Sequence, residues 1–117
     1  SDHEGQGRLY SRGDYALYSL HLKADLSTPV RVSTLDKLFQ EQDIRACQLL
    51  KIDVEGEELA VLRGGTQALR VTRQVITEVT KIEDYPRLCQ ELLTQAGFSC
   101  TVAMESPGGL LLIARRP

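Results

Sequence analysis

The chain has 117 residues, 42% apolar and 26% charged, with a net charge of −2, a length that suits one domain around a single core. Its Lys and Arg residues are scattered, which excludes the basic stripe of a nucleic-acid-binding face, and no apolar run reaches the roughly 20 residues of a membrane span. Cys47, Cys89 and Cys100 stand too far apart for metal-ligand spacing and have apolar neighbours, so they read as reduced, packed thiols of a cytoplasmic protein.

Residues 1–7 are polar, include Gly5 and Gly7, and are expected to be disordered. Arg8 to Ser11 predicts a short strand, Gly13-Asp14 a turn, and the weak alternation of Ala16 to Leu22 a second strand. Tyr10, Tyr15 and Tyr18 cluster here, suited to packing a hairpin, stacking on a ligand or covering an interface. Val30 and Val32 alternate with Arg31 and Ser33 as in an edge strand. Ser33 or Thr34 then caps a helix from Leu35 to about Gln42, with Leu35, Leu38 and Phe39 at helical spacing.

The next stretch, LLKIDVEGEELAVLRGG from Leu49 to Gly65, carries the most information. Leu49, Leu50, Ile52 and Val54 read as a strand buried on both faces, as a parallel sheet requires. Glu57 and Glu58 suit the first turn of the following helix, whose dipole favours acids there. Leu59 and Leu62, three apart, face the sheet. Gly64-Gly65 ends the segment.

Thr66 to Arg70 predicts a short helical turn and Gln74 to Val79 a further buried strand. Asp84 is placed to cap a helix with Pro86 in its first turn, Leu88, Cys89, Leu92, Leu93 and Ala96 on one face, and Gly97 as its stop. Phe98, Cys100, Val102 and Met104 alternate as one buried strand face would. Ser106-Pro107-Gly108-Gly109 turns the chain, and Leu110 to Ala114 returns as the partner strand. This order predicts an α/β domain: parallel central strands extended by a C-terminal antiparallel hairpin.

Carboxylates gather where the central strand ends and its helix begins, the edge at which open α/β sheets bind ligands. Asp53 can serve there as a general base, as a substrate anchor or as one ligand of a divalent cation; its structural alternative is to order the turn through backbone hydrogen bonds. Glu55, two residues on, either shares that pocket or interacts with the helix N-terminus. Glu78 ends the next strand and converges with Asp53 in one register, but a one-residue shift turns it to the opposite face. Gly56 permits a tight turn. Lys51 reads as a structural ion-pair partner, His3 as a flexible terminal residue and His21 as a loop or strand residue.

KIDVEGEELAVLRGG, preceded by VSTLDKLF at Val32 to Phe39, resembles the signature of FkbM-type methyltransferases, and the resemblance runs from about Leu9 to Ile113. It implies part of a class I methyltransferase (Rossmann-like) sheet, with residues 1–117 one domain matching its C-terminal portion. It also implies S-adenosylmethionine as donor, O-methyl transfer to a small-molecule, sugar or lipid acceptor, and catalytic roles for Asp53, Glu55 and Glu78. Family members place an acidic, glycine-rich donor loop upstream, and no such loop occurs here. The chain alone is therefore expected to be inactive, covered by a homodimer partner or by an N-terminal half. The alternative is a non-enzymatic α/β module that dimerises or binds a protein through an uncovered sheet.

Overall fold

Strand pairing in the computed structural model, which describes residues 1–11, 18–19 and 26–117, divides the strands between two sheets. In the first, β1 (Gly5–Ser11) pairs antiparallel with β2 (Tyr18–Ser19) and with β3 (Leu26–Val32). β3 is an outer strand, where Pro29 disturbs no interior ladder. Residues 5–7, expected to be disordered, belong instead to β1, because Gly5 and Gly7 find backbone partners opposite Val32 and Val30. The turn at Gly13-Asp14 and the predicted strand from Ala16 to Leu22, apart from Tyr18–Ser19, lie outside the described residues.

The second sheet holds β4 (Cys47–Ile52), β5 (Thr72–Thr80), β6 (Ser99–Glu105) and β7 (Gly109–Arg115) in the order β4-β5-β7-β6. β4 and β5 run parallel, joined through α2 (Glu58–Arg63) and α3 (Thr66–Arg70). After α4 (Tyr85–Gln95), β6 is laid down and β7 turns back between β5 and β6, antiparallel to both. The protein is thus α/β with a mixed sheet, its antiparallel hairpin at the C-terminal end.

The core lies on one face of this sheet. Val75 and Val79 of β5 and Leu112 and Ala114 of β7 are fully buried against Leu59 and Leu62 of α2 and Cys89 and Leu93 of α4. Two expectations are corrected here. β4 is an outer strand buried on one face only: Ile52 enters the core while Leu49 is 53% exposed, because no layer of described residues covers the other face. β6 is the opposite outer strand; Cys100 packs against the core, but Val102 and Met104 are 44% and 69% exposed. Alternation marks which residues share a face, and the covering layer decides whether that face is buried.

The segment before β4 is fastened to the one after α2. α1 (Leu35–Glu41) is capped by Thr34, whose hydroxyl accepts from the Lys37 N–H at 3.1 Å. Asp36 donates its N–H to the Gly64 carbonyl at 2.9 Å, and its Oδ1 accepts from the Gln67 and Ala68 N–H groups at 2.8 and 2.7 Å. Asp36 therefore satisfies the first amides of α3, which have no intrahelical partner. A Cβ on Gly65 would meet Leu35 Cδ2 at 2.8 Å and the Val61 carbonyl oxygen at 3.2 Å, so α1 packs closely over this glycine and a side chain there would make Leu35 shift. None of the described helices is long and apolar enough to cross a membrane.

Candidate active site

Between β4 and α2 the chain makes a tight turn that few sequences tolerate. Val54 accepts from the Glu57 N–H at 3.3 Å, and the two residues between them have φ of +49° (Glu55) and +101° (Gly56). Positive φ at both central positions is the pattern of a mirror-image turn, where Gly, Asn or Asp is normal. Gly56 fits that requirement, but Glu55 does not. A non-glycine residue held at left-handed φ costs about 1–2 kcal/mol, and such strain concentrates at functional sites.

Asp53 leaves the end of β4 just before this turn. Its Oδ2 accepts from Lys51 Nζ at 3.0 Å, with the two side chains 42% and 67% exposed. The partner found for Asp53 is thus a lysine side chain, and the carboxylate stays open to a ligand. Lys51 takes the structural ion-pair role expected of it.

Asp53, Val54, Glu55 and Glu57 form one wall of a cleft of about 360 Å³. Residues of the first sheet form the opposite wall: Leu9 of β1 and Val30, Arg31 and Val32 of β3. Arg31 is held from behind by Glu41 at 2.9 Å. Ser33 also lines this cleft, and its buried Oγ has no hydrogen-bond partner among the described residues. The lining combines apolar side chains with carboxylates that accept hydrogen bonds, which suits a hydroxyl-bearing ligand lying along the valines. Asp53 and Glu55 are therefore brought together.

Glu78 is not in that cleft. The β4–β5 ladder ends at Ile52–Thr77, and Glu78 alternates with buried Thr77 and Val79. It is exposed on the open face of the sheet, the same face as Lys51. Among the described residues no three His, Cys, Asp or Glu side chains converge as a metal site. His3 contacts Asp2 and Ser1 near the N-terminus, and His21 lies outside the described residues.

Sequence reasoning missed the burial of one residue. Glu58, read as a helix-start acid, is 1% exposed, and its Oε1 accepts from the Gly56 N–H at 2.8 Å and from the Thr80 hydroxyl at 3.3 Å. The available signal was its spacing: Glu58 stands four residues before Leu62 and beside Leu59, on the apolar stripe. Cys89 is buried as its place on the apolar face of α4 implies; burial pushes its thiol up to about 12, with the nearby Glu58 carboxylate adding to the rise. It is a neutral, packed thiol at physiological pH.

The sequence matches the model of the methyltransferase FkbM domain over residues 5–100. A relative, the hexuronic acid methyltransferase AglP of Haloferax volcanii, is 31% identical over 90 residues, covering 77% of this chain and 37% of that protein. The chain thus spans 37% of the length of the relative it matches. No solved structure matches it.

Proposed function

Because this chain belongs to the FkbM methyltransferase family, we propose that it carries the acceptor side of an S-adenosylmethionine-dependent O-methyltransferase. One observation carries the reading: Asp53 and Glu55 line a single cleft at the carboxyl end of β4, the edge of an open α/β sheet where ligands bind. In this reading an acceptor hydroxyl donates to Asp53, which takes its proton as general base while Lys51 fixes the carboxylate. Glu55 accepts from a neighbouring hydroxyl, and Glu78 extends the acidic edge across the open face. A sugar acceptor agrees with the name of the Haloferax volcanii relative and with the mixed apolar and carboxylate lining.

We read the order β4-β5-β7-β6 as the C-terminal half of a Rossmann-like class I sheet, with the unpaired side of β4 as the joint to the donor-binding half. The described residues do not fit the donor itself. Gly64-Gly65 lies at the end of α2 and Gly108-Gly109 in a hairpin, neither opening a helix after a strand, so no backbone cradle for it is found here. Calorimetric titration of S-adenosylmethionine is expected to give no binding heat with this chain alone. It should give one site per chain in a protein that carries the preceding half as well. Saturable one-site binding by the chain alone would overturn the division between halves. No binding by either protein would sink the methyltransferase reading.

A second reading is favoured by the apolar residues left in the open: a non-enzymatic module that dimerises through the uncovered sheet. Leu49 on β4 and Met104 on β6 are both exposed, at opposite margins of that sheet. It expects a dimer by light scattering at micromolar concentration. A monomer with a cooperative melt counts against it.

A further inference from the structure

Glu58 is a buried acid with one oxygen unused. Its Oε1 takes the two hydrogen bonds from Gly56 and Thr80, and Oε2 is buried without a partner among the described residues. Burying a carboxylate is unfavourable unless hydrogen bonds compensate, and an apolar side chain would fill the same space against Leu59 and Leu62 without that penalty. What an apolar side chain could not supply is an acceptor for the Gly56 N–H.

That amide stands at the second central position of the mirror-image turn, next to strained Glu55. Thr80 is the last residue of β5. Through Glu58, the turn after β4 is therefore tied to the end of the neighbouring strand.

The geometry points to Glu58 as a positioning residue that locks Glu55 and Gly56 at positive φ and so presents Asp53 and Glu55 to the cleft. The purpose of this brace rests on the methyl-transfer reading, whereas the brace itself is a property of the fold.

Three variants test it by amide exchange and coupling constants in solution NMR. Glu58→Met keeps the length and bulk of the side chain but offers Gly56 no oxygen. It should melt cooperatively, with Gly56 exchange faster by about tenfold or more and the Glu55 coupling constant moved away from left-handed values. Glu58→Gln keeps an oxygen for Gly56 and replaces the oxygen that has no partner, so both readouts should return to those of the wild type. Unchanged Gly56 protection and Glu55 coupling in Glu58→Met would reduce Glu58 to a filler of space. Should Glu58→Met fail to fold, Thr80→Val removes only the tie to β5. A smaller loss of Gly56 protection is then expected, and none would overturn the brace. This outcome is independent of donor binding: faster Gly56 exchange without donor binding by either protein leaves the brace and sinks the methyl-transfer reading. Donor binding with unchanged exchange does the reverse.

Discussion

Replacing Asp53 with Asn, in a protein that carries both halves of the sheet, is expected to lower turnover by about two to four orders of magnitude, the usual worth of a general base. Asn has the shape of Asp and still accepts a hydrogen bond, but it cannot take a proton. The fold should survive, because the bond lost is an ion pair between two partly exposed side chains, and such pairs contribute about 0–1 kcal/mol. The decisive comparison is kcat beside the melting temperature. A full loss of turnover with an unshifted melt assigns the proton to Asp53. A collapsed melt would make Asp53 a structural residue of the turn. Unchanged turnover would move the base to Glu55, which lines the same cleft.

The second large effect concerns stability and separates two apolar residues of one hairpin. Leu112 and Met104 both lie on strands of the C-terminal hairpin, and alternation assigns Met104 to a buried face while the continuous apolar run at Leu110 to Ala114 gives Leu112 no face of its own. Leu112 is fully buried in β7 between β5 and β6, whereas Met104 is 69% exposed on β6. Leu112→Ala should therefore cost about 2–5 kcal/mol, through lost burial and a cavity that the flanking strands cannot close. Met104→Ala should stay within about 0.5 kcal/mol of the wild type, as surface substitutions do. Urea unfolding of the two variants measures both differences. Equal losses would mean that β6 is covered in solution, and the dimer reading would gain.

These two residues show where the sequence was readable. Spacing identified β5, α4 and the closing hairpin because apolar period and turn residues agree locally: Pro86 and Gly97 bracket α4 just as capping chemistry requires. Spacing could not identify the insertion of β7 between β5 and β6, since both orders of the hairpin share one pattern of alternation. Nor could it tell which sheet face lies under helices, so Leu49, Val102 and Met104 were placed in a core that does not reach them. At the site, Asp53 and Glu55 were legible because the acids fall directly after an apolar strand. Glu78 was ambiguous because its position depends on register, and it stands outside the cleft. Asp36 and Glu58 act through backbone amides: 31 and 32 residues away for Asp36, two residues away for Glu58. A side chain bonded to an amide leaves no mark in hydrophobic periodicity.

The two rims of the four-stranded sheet are unlike. On β6 the ladder slips between Val102 and Met104, a bulge that breaks the even spacing of outward amides and carbonyls. On β4 the pairing with β5 holds one constant offset from Cys47 to Ile52, so its outer amides and carbonyls keep a regular parallel-strand spacing. An incoming strand would find a matching template at β4 and a mismatched one at β6. Growth of this sheet is thereby given a direction: one margin is finished off, the other is left ready for continuation, and strand exchange or aggregation should begin from the β4 side.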